Sequence, residues 1–135
     1  MGTTLVTAFP ELYLDTHVLV WLYAQGLQSF SRRGVDVLES AATLLISPMV
    51  LLEIEYLHEI EKITRSSSVI VQYLSEKIGL TVCSKPFHQV SVQALEMKWT
   101  RDPFDRLITA QASLDQNPLL TKDRIIHQQY PHAVW

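Results

Sequence analysis

Short apolar runs, each long enough for one strand, alternate along the chain with longer segments that carry helix signals. The predicted strands are residues 11–15, 43–46, 80–83 and 119–121, with residues 132–135 as an edge strand. The predicted helices are residues 17–23, 31–42, 48–63, 69–78, 86–99, 103–115 and 122–129. Strands that alternate with helices form parallel β–α units, because a parallel pair needs a long crossover connection. The sequence therefore predicts an α/β fold with a short parallel central sheet covered by helices on both faces.

The chain has the length of one domain. Its 135 residues contain no repeat, no low-complexity tract and no long linker. Hydrophobic residues make up 47% and charged residues 19% of the chain, which is typical of a globular rather than a disordered protein. We therefore expect residues 1–135 to form a single domain, with residues 1–10 as an N-terminal extension ahead of the first strand.

Several features favour a cytoplasmic protein that does not enter a membrane. No apolar run reaches the roughly 20 residues that a membrane helix needs. The first residues lack the basic and then apolar pattern of a secretion signal. The single cysteine, Cys83, lies in an apolar run, cannot form an intrachain disulfide and is predicted to be buried. The formal net charge of -3 argues against a protein that coats nucleic acid non-specifically.

Four acidic residues lie beside separate apolar runs, and they are the strongest functional signal in the chain. Asp15 and Asp123 follow strand-like runs, whereas Glu53 and Asp105 lie in apolar helix-like runs. A carboxylate near a core is costly unless it is paired or binds a cation. If the four converge, they provide an oxygen-rich site for Mg²⁺ or Mn²⁺, and such a metal suits phosphodiester chemistry.

Each acid also has a structural interpretation. Asp15 and Asp123 are good N-cap residues for the helices that follow them, with Thr16 as another cap or hinge candidate at the first helix. A solvated helix face is the alternative for Glu53, which also has Glu55 as a rival on the same helix; Glu53 borders the apolar face, and the family resemblance given below adds to its claim. In the pair Asp102 and Asp105, the first is placed to cap a helix and the second to bind a metal.

The basic residues near these acids give a weaker signal. Arg106, Lys122 and Arg124 are candidate phosphate contacts. An ordinary solvated surface is the favoured alternative for them, and an ion pair with a neighbouring acid is the favoured alternative for Arg106.

Other site types lack their motifs. The histidines and the cysteine show no zinc-binding spacing, and the four glycines form neither a P-loop nor a dinucleotide-binding turn. The aromatic residues are interpreted as core rather than as platforms for nucleobases; they are Trp21, Tyr56, Trp99 and Phe104.

The motifs LDTHVLVW, SPMVLLEIEYL, DPFDRLITAQA and LLTKD occur in this order and are followed by a terminal VW. By these motifs and their order, the chain resembles the PIN domain. Within that family, it resembles the VapC-type toxins of bacterial toxin–antitoxin pairs. The resemblance covers about residues 11–135, and DPFDRLITAQA followed by LLTKD is its specific part. It implies a three-layer α/β/α sandwich and a Mg²⁺- or Mn²⁺-dependent endoribonuclease, with a cognate antitoxin partner and a homodimer. The family's acidic positions fall on Asp15, Glu53, Asp105 and Asp123, with Thr16 and Thr121 as supporting hydroxyls.

The acids and the resemblance together predict that a metal-activated water hydrolyses RNA. One alternative is a catalytically silent PIN-fold binding module or a housekeeping RNA-processing factor, but the presence of all four acids argues against a silent site. Another alternative is a phosphoryl-transfer or signalling domain. Such domains also carry acids at strand ends, yet here no second Asp lies two residues after Asp15.

Overall fold

The structure, a computed structural model, describes residues 11–135. The N-terminal extension predicted for residues 1–10 lies outside these residues. Within the described part, the strands are β1 (Glu11–Leu14), β2 (Thr43–Ile46), β3 (Thr81–Val82), β4 (Leu119–Leu120) and β5 (Ala133–Val134). They form one parallel sheet in the order β3-β2-β1-β4-β5. The parallel sheet is therefore confirmed, and β5 lies at its edge as predicted.

Helices connect the strands and cover the sheet. They are α1 (Thr16–Gln25), α2 (Arg32–Ser40), α3 (Pro48–Glu59), α4 (Ser67–Ile78), α5 (Phe87–Ala94), α6 (Pro103–Ser113) and α7 (Arg124–Gln129). Leu12, Tyr13 and Leu14 are consecutive in β1 and at most 1% exposed. Because consecutive strand residues point to opposite faces, both faces of the sheet are covered. The predicted α/β/α sandwich is confirmed.

Short polar residues at the ends of strands start several helices. Asp15 caps α1 by accepting a hydrogen bond from the backbone N–H of Thr16, so the cap is Asp15 rather than Thr16. Ser47 caps α3 and is followed by Pro48, which fits the first turn. Asp102 caps α6 and Asp123 caps α7. Caps at the ends of β1 and β2 aim the helix starts at the carboxyl edge of the sheet.

Several predicted helix boundaries differ from the structure, and three of them lie close to functional candidates or to a helix cap. Helix α3 ends at Glu59 rather than at residue 63, because Glu61 adopts a left-handed conformation (φ 63°) and Lys62 N–H donates to the Leu57 carbonyl. Helix α5 ends at Ala94 rather than at residue 99. The last helical turn begins at Arg124 rather than at residue 122, since Asp123 is its cap.

The core lies along the central strands and the helix faces that pack on them. Among its fully buried side chains are Leu14, Leu19, Ile46, Ile54 and Leu120. Cys83 is buried as predicted, with its Sγ 3.1 Å from the hydroxyl of Tyr13. Of the helices within residues 11–135, none combines the length and apolar character needed to cross a bilayer.

Candidate active site

The carboxyl ends of β1 and β4 bring the first site residues together. The two strands pair in parallel, with Leu14 opposite Leu120, so Asp15 and Thr121 follow them at the same level. The Thr121 hydroxyl donates a hydrogen bond to Asp15 Oδ2 at 2.6 Å. Asp15 is 2% exposed and Thr121 is fully buried. The strand register therefore holds this carboxylate in one orientation.

Asp15 is both a helix cap and a site residue. Its Oδ1 accepts a hydrogen bond from the Thr16 N–H at 2.8 Å, while its Oδ2 accepts the bond from Thr121. His17 Nε2 lies 3.5 Å from the same Oδ2. From the sequence, capping the helix and belonging to the site were alternative roles for Asp15. Its hydrogen bonds show that the two roles are compatible in one side chain.

Glu53 reaches the same region from the second turn of α3. The Thr16 hydroxyl donates to Glu53 Oε1 at 2.5 Å, which links α3 to the first residue of α1. The pKa of Glu53 is raised mainly by burial, and the charges of Asp15 and Asp102 raise it further, while the Thr16 hydrogen bond opposes the rise. Its rival, Glu55, instead accepts a hydrogen bond from the Ser67 N–H at the start of α4.

Asp105 lies where the charges of the other acids add up. Burial raises its pKa to about 7, and further contributions come from four neighbouring carboxylates: Asp102, Asp15, Asp123 and Glu53. Hydrogen bonds through Thr16 and Thr121 link Asp15 to Glu53 and to Asp123. The four predicted acids and Asp102 therefore form one acid cluster, Asp15, Glu53, Asp102, Asp105 and Asp123.

The two outer members of the acid cluster begin helices. Asp102 accepts a hydrogen bond from the Phe104 N–H at 2.9 Å, as its predicted capping role requires. Asp123 accepts one from the Ile126 N–H at 2.9 Å, and its own N–H donates to the Thr121 hydroxyl at 3.0 Å. Sequence reasoning assigned Asp102 to the cap alone and missed its contribution to the negative charge of the site.

The donor chemistry of the acid cluster fits a hard divalent cation. Its side chains offer carboxylate oxygens, the ligands that Mg²⁺ and Mn²⁺ prefer. Burial raises the pKa values of Glu53 and Asp105 most, and the neighbouring carboxylates raise them further; a cation placed among them would relieve that repulsion. Across residues 11–135, however, no three His, Cys, Asp or Glu side chains are grouped in an arrangement that could by itself hold a metal ion. In the structure, the carboxylates of Asp15 and Glu53 each accept a hydrogen bond from a threonine hydroxyl.

The three basic candidates differ in their contacts. The Arg106 guanidinium donates to the Ala94 carbonyl from Nε and Nη2, at 3.2 and 3.0 Å. It thereby caps the last turn of α5, and within residues 11–135 it forms no ion pair with an acid, contrary to the alternative favoured from the sequence. The Lys122 ammonium lies over two indole rings, and Arg124 is exposed next to Asp123.

Two histidines near the acid cluster escaped the sequence analysis as site neighbours. His17 Nε2 approaches Asp15, and His127 Nε2 lies 2.6 Å from the Thr121 carbonyl oxygen. Their spacing carried a signal: His17 lies two residues after Asp15, and His127 lies one helical turn after Asp123.

The fold and the acid cluster define a class of protein: a parallel α/β domain with a carboxylate site at the carboxyl ends of its central strands. A profile of the PIN domain matches residues 12–130. Ribonuclease VapC22 of Mycobacterium tuberculosis is 32% identical over 127 residues, which cover 90% of this chain and 96% of that protein. The chain therefore belongs to the PIN domain family, and its predicted resemblance to the VapC type is confirmed.

Two solved structures share the fold at low sequence identity. The first is VapBC2 from Rickettsia felis bound to a DNA fragment from its promoter, with a TM-score of 0.64 and 16% identity. The second is a toxin–antitoxin complex from Klebsiella pneumoniae, with a TM-score of 0.61 and 17% identity. Each match covers 92% of this chain and 96% of the matched chain.

Proposed function

We propose that this protein is the toxin ribonuclease of a toxin–antitoxin pair and that it cleaves RNA phosphodiester bonds at the acid cluster with the help of Mg²⁺ or Mn²⁺. The observation that carries the proposal is the convergence of the carboxylates around Asp105, in a chain 32% identical to a ribonuclease over most of its length. Inward-facing acids with raised pKa values cost stability and are expected where a site needs them.

In this proposal, Asp15, Glu53 and Asp105 hold the metal and Asp123 binds it directly or through water. A bound Mg²⁺ or Mn²⁺ supplies a water of lowered pKa and neutralises charge that develops on the phosphate. The Thr121 hydroxyl and the Thr16 N–H orient the Asp15 carboxylate, and the Thr16 hydroxyl orients Glu53. Asp105, whose pKa is raised by burial and by the neighbouring carboxylates, would offer its carboxylate as a ligand, and the charge of the metal would favour the ionised form.

The bond that breaks is the one between phosphorus and the 3′ oxygen. Attack of water in line with this oxygen leaves a 5′-phosphate on one fragment and a 3′-hydroxyl on the other. Lys122 and Arg124 flank Asp123 along the chain and are proposed to contact the neighbouring phosphates. Arg106 is a weaker candidate, since its guanidinium is bound to the end of α5.

An antitoxin is the proposed protein partner. Helices α3 and α4 border a groove of about 880 Å³, whose apolar wall includes Leu51, Leu52, Val71 and Val82. Leu52 and Tyr56 on α3 are 56% and 48% exposed. Such a surface suits the apolar face of a partner helix or extended arm. A homodimer, also implied by the family, remains part of the proposal.

Purified protein incubated with total cellular RNA tests the proposed function. We expect discrete fragments with 5′-phosphates in Mn²⁺ or Mg²⁺ and no cleavage in excess EDTA. Well-folded protein that binds Mn²⁺ but leaves all RNA intact would instead favour a silent binding module. Cleavage that is unchanged in EDTA would refute the role of the metal.

Thr121→Val tests whether the buried hydroxyl orients the metal-binding carboxylate. Removing it leaves Asp15 Oδ2 without its 2.6 Å hydrogen bond, and loss of such a supporting bond typically lowers metal affinity or activity about 10- to 100-fold. The measurement is the cleavage rate as a function of Mn²⁺ concentration. Thr121→Ser restores the hydroxyl and should recover most of the activity.

Thr109→Val is the matched control for this change. Thr109 is also fully buried, yet its hydroxyl has no hydrogen-bond partner within the described residues. We expect the cleavage rate of Thr109→Val to depend on Mn²⁺ concentration as that of the wild type does. If Thr121→Val also behaved as the wild type, the Thr121 hydroxyl would have no part in positioning Asp15.

A further inference from the structure

Beside the acid cluster, three segments that are distant in sequence bring aromatic rings and an ammonium group together. We call this the aromatic surface; it comprises His17, Trp21, Trp135 and Lys122. The rings of His17 and Trp21 lie 5.1 Å apart, and those of Trp21 and Trp135 lie 6.0 Å apart. Lys122 Nζ lies 5.9 Å from the centre of the Trp21 ring and 5.8 Å from that of Trp135.

The aromatic surface begins at the catalytic carboxylates. The His17 ring that packs on Trp21 places its Nε2 3.5 Å from Asp15 Oδ2. Lys122 follows Thr121, whose hydroxyl is bonded to the same Asp15 oxygen. His17, Trp21 and Trp135 are each half-buried and Lys122 is exposed, so the rings retain surface that a ligand can reach.

The net charge of this chain does not favour RNA binding. Its net charge is -3, and the acid cluster repels a phosphate until a cation is bound. Stacking of a nucleobase on an aromatic ring does not depend on the net charge of the protein and adds affinity with each stacked base. A nucleotide carries a flat base next to a negatively charged phosphate. An indole ring with an ammonium group beside it can therefore stack on the base and contact the phosphate.

We propose that the aromatic surface is a subsite for an unpaired nucleotide next to the scissile phosphate. Its base stacks on Trp21 or Trp135, and Lys122 contacts its phosphate. The flexible Lys122 side chain can turn its ammonium from the ring faces to that phosphate. This inference rests on the proposed function and deepens it, because the substrate must be single-stranded at the cleavage site. It also revises the interpretation of Trp21 as a core residue.

The test measures binding of six-nucleotide oligouridylate to Asp15→Asn protein, which should not cleave it, in Mg²⁺. An oligomer of equal length without bases is the second probe. In this background we expect Trp21→Leu to weaken binding of oligouridylate about 5- to 100-fold and to leave the baseless oligomer unaffected. Lys122→Met should lower the slope of log affinity against log salt by about one phosphate contact.

Helix α4 offers a matched control for the cation and the ring. Lys77 Nζ lies 5.8 Å over the ring of Tyr73, which is 46% exposed and is packed against Tyr23. Tyr73→Leu and Lys77→Met remove the same kinds of group from a different surface, so both should bind both oligomers as the parent does. If these variants lost as much affinity for oligouridylate as Trp21→Leu, the effect of Trp21→Leu would not be specific to the subsite.

A second measurement does not depend on Trp21→Leu folding. The three tryptophans are Trp21, Trp99 and Trp135, so Trp99→Phe leaves only the fluorescence of the aromatic surface. Oligouridylate should quench this fluorescence and the baseless oligomer should not. The subsite proposal would be overturned if saturating oligouridylate caused no quenching. It would also be overturned if Trp21→Leu lost affinity for both oligomers to the same extent.

Wild-type cleavage of total RNA, run in parallel, separates the two proposals. If the wild type cleaves RNA in a metal-dependent way but Trp21→Leu and Trp135→Leu both bind oligouridylate as the parent does, the subsite is refuted. The ribonuclease proposal would then stand. Folded protein that neither binds nor cleaves RNA would overturn both.

Discussion

Asp15→Asn should lower metal-dependent RNA cleavage by about 10³-fold or more, because a direct metal ligand supplies several kcal/mol of charge stabilisation in such sites. The change removes one negative charge and leaves the shape of the side chain almost unaltered. The loss should appear in the rate of cleavage of a labelled RNA at saturating Mn²⁺ and as weaker Mn²⁺ binding in calorimetry.

The fold should survive this substitution. The Asn side-chain oxygen can still accept the hydrogen bond that Asp15 accepts from the Thr16 N–H, and Asn is as good a helix cap as Asp. The Thr121 hydroxyl can also donate or accept a hydrogen bond at the amide group. Circular dichroism and the urea midpoint should therefore stay close to those of the wild type.

Asp36→Asn is the matched control, since it removes the same charge from an exposed position of α2. It should cleave RNA at the wild-type rate. Full activity of Asp15→Asn would rule out Asp15 as a metal ligand. A comparable loss in Asp36→Asn would show that net charge, rather than the local ligand, limits the reaction.

The sequence predicted those parts of the site that local signals determine. Asp15 follows an apolar strand and precedes an apolar helix, and in a parallel sheet this order alone places it at the carboxyl edge. The dipeptide Asp102-Pro103 marks the start of a helix, which fixes Asp105 one turn later. The parallel sheet and the α/β class followed from the same alternation of short and long segments, whereas the strand order did not.

Contacts between distant segments determine the parts that were missed or that rested on a choice between alternatives. The end of α5 depends on the Arg106 guanidinium, which reaches the Ala94 carbonyl from another helix. The choice between Glu53 and Glu55 depends on which one meets Thr16 and which one meets Ser67. Trp21 and Trp135 come from opposite ends of the chain, and no periodicity in either segment indicates that they meet around Lys122.

Asp105→Asn should abolish cleavage to about the same extent as Asp15→Asn, yet make the metal-free protein more stable at pH 8. In the wild type, burial and the neighbouring carboxylates raise the pKa of Asp105 to about 7 from its usual value of 3.8. An uncharged Asn at this position keeps the shape of the side chain and removes the charge that the neighbouring acids repel. Since partial exposure of Asp105 screens the repulsion, we expect a gain of about 1–2 kcal/mol in the free energy of unfolding at pH 8.

The sign of the pH dependence follows from proton binding. Between the unfolded pKa of 3.8 and the folded pKa of about 7, the folded wild type retains a proton on Asp105 that the unfolded chain releases. The folded state is thus favoured at the low end of this window and loses that advantage as the pH rises through about 7. Glu53, whose pKa is also raised, acts in the same direction.

Urea unfolding of wild type, Asp105→Asn and Asp36→Asn at pH 5 and pH 8, in EDTA, measures this effect. The five histidines titrate in the same window in all three proteins, so the contribution of Asp105 is the difference between variants rather than the slope of any one. At pH 8, the advantage of Asp105→Asn over the wild type should be largest, and at pH 5 it should be clearly smaller. Mn²⁺ should then stabilise the wild type more than the variant, because only the wild type has this carboxylate to offer. Equal pH dependence in the wild type and Asp105→Asn would show that Asp105 does not carry the repulsion of the acid cluster.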